Sequence, residues 1–120
     1  MSPAREPVWV VARDHWPRAL LRGELIERGI DAIGFADAAH AVRALTRPLL
    51  PRPRLVVLDL SGAEEASARA LAGQGVPVLL VGGAVEAARP WVTACPWAGL
   101  LRRPVSIDDV ARAVLRLLAS

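Results

Sequence analysis

Leu55-Val56-Val57-Leu58-Asp59-Leu60 is the stretch whose reading decides the fold of this chain. Four apolar residues in succession, two of them β-branched, run straight into a carboxylate. A strand that is apolar at every position, rather than at every second one, is buried on both faces, as in a parallel sheet covered by helices. The aspartate then stands at the carboxyl edge of that sheet, which is where open α/β sheets hold their ligands.

Similar runs flank this one at regular intervals. Val8–Val11, Asp31–Phe35, Val76–Val81 (with Pro77 near its start) and Ala98–Arg102 read as four further strands. The segments between them carry helical spacing. Trp16–Arg28 ends at Gly29, a residue suited to the left-handed position after a helix. Ala38–Leu45 begins after Asp37, a good N-cap, and is followed by the Pro-rich stretch Pro48–Pro53. Ala63–Ala72 is Ala-rich and closes at Gly73 and Gly75. A helical stretch from Ala84 is limited by Pro90 and Pro96. Ser106 and Asp109 form a capping-box pattern that opens Ile107–Leu118, with apolar residues at Ile107, Val110, Ala111, Val114, Leu117 and Leu118. Five strands alternating with five helices predict one α/β doubly wound domain over residues 1–120, with residues 1–6 as a flexible N-terminus.

Composition narrows the function. The 120 residues have room for a single core. No apolar run approaches the roughly 18 residues of a membrane span, and one cysteine, Cys95, can make no internal disulfide. A cytoplasmic bacterial protein is the expectation. Every cationic side chain is arginine, yet the net charge is only +3, and the arginines are interleaved with acids. Nucleic-acid binding calls for a clustered basic face, so a nucleic-acid-binding regulator is the third-ranked reading. His15 and His40 lie apart, without metal-ligand spacing. Cys95 has no partners for nucleophilic chemistry, and Gly82-Gly83 is too short for a phosphate loop. Glu64 and Glu65 point different ways from a helix. No metal site is expected.

Four pieces, taken in order, give the chain a resemblance: Val8-Trp9-Val10-Val11 before a polar turn, Leu55 to Leu60, Val76-Pro77-Val78-Leu79-Leu80-Val81, and Gly99-Leu100-Leu101-Arg102-Arg103-Pro104. Together they resemble the response-regulator receiver (CheY-like) family over essentially the whole chain. The resemblance implies a (βα)5 flavodoxin-like sandwich with a five-stranded parallel sheet in the order 2-1-3-4-5. It also implies a two-component signalling role, with Asp59 at the position of the phosphoacceptor. In that family an acidic pair after the first strand holds Mg²⁺, and a Ser or Thr after the fourth strand and a Lys after the fifth contact the phosphoryl group.

Here those positions are occupied differently. The acidic pair falls on Ala12 and Arg13, with Asp14 one place beyond; the hydroxyl position falls on Gly82; the lysine position falls on Arg103, before Pro104. An aromatic position on the fifth strand falls on Leu100. Phosphoryl transfer builds negative charge that a metal and a fixed cation must neutralise, and Mg²⁺ needs carboxylate oxygens. Arginine keeps lysine's charge but is a wider, planar fork. The expectation is a degenerate pseudo-receiver in which Arg13, Arg103 or both replace the metal and pair with Asp59. The mark would be a guanidinium nitrogen about 2.8 Å from its carboxylate. Arg13, standing where the metal's ligands would be, is the residue of most interest.

This reading makes the chain a non-enzymatic module with no cofactor, acting by protein–protein contact. The alternative is a working receiver in a phosphorelay, phosphorylated on Asp59 with Mg²⁺. Of the four tryptophans, Trp9 reads as core, and Trp16 starts the first helix near the rim of the site. Trp91 and Trp97 divide between packing and interface. With Leu100, Arg102 and the last helix they form the expected contact surface, for a protein partner or for a homodimer.

Overall fold

Alternation of side chains along each strand sets the architecture. In the computed structural model, which describes residues 6–47 and 50–120, β1 (Val8–Val11) and β3 (Leu55–Asp59) are buried along almost their whole length. With β2 (Ala32–Phe35), β4 (Val78–Gly82) and β5 (Gly99–Arg102) they form one parallel sheet in the order β2-β1-β3-β4-β5. β1 is the pivot, pairing Val11 with Phe35 on one side and with Leu58 on the other. Every strand edge except those of β2 and β5 is therefore inside the sheet, which explains the unbroken apolar runs.

Successive residues feed two cores. Trp9, Val11, Val56, Leu58, Val78 and Leu80 point to one face, where α2 (Ala38–Thr46), α3 (Glu65–Ala72) and α5 (Pro90–Ala94) cover them. Val8, Val10, Leu55, Val57, Leu79 and Val81 point to the other, under α1 (His15–Glu27) and α6 (Ile107–Ala119). Trp9 is fully buried, with its ring centroid 4.6 Å from that of Phe35. It is a core residue.

The helix ends follow their sequence signals. Asp37 accepts from the backbone N–H of His40, and Ser106 and Asp109 close a reciprocal capping box on α6. Gly29 takes φ +82 after α1, and Ile30 N–H reaches back to the Leu25 carbonyl.

Three expectations are corrected. The single helix from Ala84 is two short ones, α4 (Ala84–Ala87) and α5, so the domain has six helices rather than five among its described residues. Pro90 at the first position of α5 lacks the N–H that would continue α4, and Cys95, before Pro96, is extended. β4 starts at Val78, after Pro77, and α3 starts at Glu65, two residues inside the Ala-rich stretch. Residues 1–5 of the expected N-terminal segment, and Pro48 and Leu49 of the Pro-rich stretch, lie outside the described residues. Among the described residues, no helix is long and apolar enough to cross a membrane.

Candidate functional site

Asp59 ends β3 at the carboxyl edge of the sheet, and its side chain is only 12% exposed. Its Oδ1 accepts from the backbone N–H of Ser61 at 2.9 Å and from Arg103 Nη1 at 3.2 Å; Oδ2 accepts from Arg103 Nη2 at 2.6 Å. The guanidinium thus engages both carboxylate oxygens in a parallel fork, the strongest geometry open to this pair. Arg103 follows the last residue of β5, and its backbone N–H donates to the Gly82 carbonyl at 2.9 Å, so sheet pairing continues to the base of the side chain. The hydrogen bond to Asp59 holds the Arg103 guanidinium above its ordinary pKa, against a smaller opposing effect of burial. The next peptide, to Pro104, is cis.

Arg13 does not share this arrangement. Its Nε lies 3.7 Å from Asp14 Oδ1, and the side chain is 64% exposed. Its guanidinium lies across Gly62, where an added Cβ would come within 2.6 Å of Nη1. Gly62 has φ +72, so it is glycine that allows both the turn and the close approach. Arg13 therefore caps the β3–α3 loop, and the pairing with Asp59 belongs to Arg103 alone. Asp14 is the N-cap of α1, makes no side-chain cap hydrogen bond, and turns its carboxylate to Arg13.

Ala12 is buried and its backbone is fully engaged. The N–H donates to Phe35 O at 3.0 Å, and the carbonyl accepts from Arg18 Nη1 at 2.6 Å. With a methyl at one acidic-pair position and an exposed guanidinium at the other, neither position offers a carboxylate, and both oxygens of Asp59 already face Arg103. That donor set does not fit Mg²⁺, which takes several oxygens in near-octahedral geometry. No group of three or more His, Cys, Asp or Glu side chains suited to a metal occurs among the described residues.

Gly82, at the hydroxyl position, is closed off by a residue that sequence reasoning passed over. A Cβ built there would lie 2.8 Å from Leu60 Cδ1 and 3.0 Å from Leu60 Cβ. Leu60 is fully buried directly after Asp59, so its side chain fills the volume a serine or threonine would need. The available signal was an apolar residue where a polar loop should begin, set against a glycine where a hydroxyl should stand.

Two cavities flank Asp59. One of about 290 Å³ opens between the carboxyl ends of β1 and β3, lined by Ala12, Arg13, Asp37, Ser61, Glu64 and Ser67 among others. It occupies the crevice where the winding of the sheet reverses. The other, of about 200 Å³, lies between α1 and α6 and is apolar apart from Asp59 and Arg103.

The tryptophans divide differently from expectation. Trp91 is 7% exposed and belongs to the core, and Trp97 packs against that core with its indole N–H on the Val92 carbonyl at 2.7 Å. The two rings meet edge-to-face at 6.3 Å. Because α5 is so short, both rings are needed to cover the end of the sheet beneath it, which removes Trp91 from the contact surface and fixes Trp97 inward. Leu100 and Arg102 remain exposed on β5.

Solved structures with this architecture are numerous. A response regulator receiver protein from Burkholderia phymatum is 27% identical, with 96% of each chain covered and a TM-score of 0.78. The chain has the receiver fold. The receiver domain of NtrX from Brucella abortus is 24% identical over 94% of this chain and 98% of its own, with a TM-score of 0.76. The N-terminal domain of a response regulator/sensory box/GGDEF protein from Carboxydothermus hydrogenoformans is 15% identical over 95% and 94%, with a TM-score of 0.79. No protein-family model and no curated protein matches the sequence. These neighbours are response regulator receiver proteins and domains, and what this chain shares with them is the fold.

Proposed function

We propose that this receiver-fold domain is a pseudo-receiver: a signalling module that works by contact with another protein and does not take phosphate through a Mg²⁺-dependent route. The observation that carries this reading is the two-pronged Arg103–Asp59 pair. An incoming phosphoryl group would need an Asp59 oxygen free to attack and a dication beside it. Here both oxygens face a guanidinium, and positions 12 and 13 supply no second carboxylate. The Leu60 side chain against Gly82 adds that the hydroxyl position cannot be refilled without moving the core. The site reads as locked in one state, with Arg103 supplying permanently the positive charge that a metal would supply on demand.

The contact surface that fits this role is the exposed part of β5, Leu100 and Arg102, together with Val85 on α4. It keeps the location expected from the sequence but loses its tryptophan anchors.

Incubation of the protein with a small-molecule phosphodonor and Mg²⁺, followed by intact-mass measurement, tests the reading. No adduct is the expected result. A stoichiometric phosphate adduct that disappears in Asp59→Asn would establish a working receiver instead.

A further inference from the structure

The two cavities beside Asp59 differ in chemistry. The crevice of about 290 Å³ is lined by Arg13, Asp37, Ser61, Glu64 and Ser67 and suits water. The cavity of about 200 Å³ between α1 and α6 does not. Val57 and Val81 form its floor, Leu20 and Leu21 one wall, and Val105 and Ile107 the other, while Asp59 and Arg103 make its polar end. Leu20, 54% exposed, marks the rim. Protein interiors are normally packed to crystal density, and apolar walls that face a gap forfeit their contacts. The floor is hydrogen-bonded sheet, with Val57 beside Leu79 and Asp59 beside Val81. Arg28 ties Glu24 on α1 to Asp108 on α6, so the framework around the gap holds it open.

We infer that this cavity binds a small uncharged molecule: a single apolar ring, or a branched aliphatic group of that size, carrying one carbonyl-type hydrogen-bond acceptor. Volume sets the size. About 200 Å³ is below the roughly 300 Å³ at which pockets for drug-sized ligands begin, whereas an apolar cavity of about 150 Å³ takes up benzene. The space therefore holds one ring with a short arm, and the ring covers Leu20.

Arg103 sets the arm. Its Nη1 and Nη2 each give one hydrogen to Asp59, which leaves the Nε–H and the outer hydrogens of both Nη without an acceptor among the described residues. Arg103 lines this cavity and not the crevice, so an occupant with a carbonyl oxygen can take the place of water on those donors. The absence of charge follows from the surroundings of the same guanidinium. Asp59, through its hydrogen bonds, and then Glu86 and Asp14, through their charge, raise its pKa. One cation answered by several carboxylates leaves little positive field for an anionic ligand. Both oxygens of Asp59 are already engaged by Arg103, so an ammonium finds no free counter-ion either.

The test is an NMR titration of the isotope-labelled full chain with acetophenone, benzoate, benzylammonium and toluene, followed at the backbone amides. Acetophenone should give saturable shifts at Leu20, Leu21, Val81, Arg103 and Val105, with a Kd of about 1 mM or tighter. Benzoate and benzylammonium are matched in size and should bind at least about tenfold more weakly, because each brings a charge into an apolar site. Toluene lacks the acceptor and should bind about three- to tenfold more weakly. Val105→Trp fills the cavity from a half-buried position and should abolish the acetophenone shifts. Leu20→Asp, at an exposed position that folding tolerates, should weaken them at least about fivefold and decides the matter if Val105→Trp does not fold in circular dichroism melts. No saturable shift with acetophenone up to about 10 mM overturns the inference. So does benzoate or toluene binding as tightly as acetophenone, a set of shifts centred on Ser61 to Ser67 in the other crevice, or binding that ignores Leu20→Asp.

Discussion

Two arginines approach the carboxyl edge of the sheet, one at the end of β5 and one at the end of β1, and only the first reaches the carboxylate between them. Arg103 leaves a strand whose backbone pairing continues to its own N–H, so the side chain starts from a fixed base and closes on Asp59 in a two-pronged fork. Arg13 leaves a strand that has already ended. It lies in the turn before α1, mostly in solvent, crosses Gly62 and meets Asp14 at 3.7 Å. Equal charge at similar distance along the sequence motif does not give equal roles. The anchoring of the backbone decides which guanidinium occupies the site.

The strongest way to break this contrast is to restore the missing hydroxyl on the Arg103 side. Gly82→Thr forces its new side chain into Leu60, and overpacking of this kind costs about 2–3 kcal/mol. Urea denaturation should show this. Leu60→Ala in the same chain should make the two changes clearly less than additive, because each relieves the other.

A smaller effect separates the arginines directly. Arg103→Ala leaves the mostly buried Asp59 carboxylate without its cation and should lower stability by about 1–2 kcal/mol. Arg103→Lys should recover part of that loss, since it keeps the charge but not the fork. Arg13→Ala should stay within about 0.5 kcal/mol of wild type. Equal losses for the two alanine variants would mean that the anchoring argument is wrong.

The smallest effect concerns the amino ends of the two helices on the same face. α6 is closed by its capping box, whereas Asp14 makes no such bond to α1. The hydrogen bond from Ser106, followed by that from Arg112, holds the Asp109 carboxyl below its ordinary value of 3.8. A carboxylate with a depressed folded pKa stabilises above the unfolded value and loses that contribution as pH falls through the folded one. Urea midpoints should therefore drop in Asp109→Asn at neutral pH, and the variant should converge with wild type in acid below the ordinary carboxylate range.

Much of the fold was legible because burial leaves a simple mark. Leu55 to Leu58 and Leu79 to Val81 could be read as strands covered on both faces without knowledge of any contact. Prolines were harder to read. Pro90 looked like a limit on one helix and is the start of another, since its missing N–H costs nothing at a first turn. At the site, residue types were visible but directions were not. Arg103 and Arg13 could not be ranked from the chain alone, because the ranking depends on which backbone is hydrogen-bonded at its root. Trp91 and Trp97 were ambiguous for a related reason: only the shortness of α5 turns them inward.

The contact between Leu60 and Gly82 also bears on how this domain could change with time. Returning carboxylates to positions 12 and 13 would place two negative charges beside a locked Asp59, with one of them on a buried strand end. Returning a hydroxyl to position 82 collides with Leu60, and trimming Leu60 opens a void in the core. Each of these single substitutions is opposed by its surroundings, so on the pseudo-receiver reading proposed above the site behaves as a ratchet, with the Leu60 side chain as its pawl.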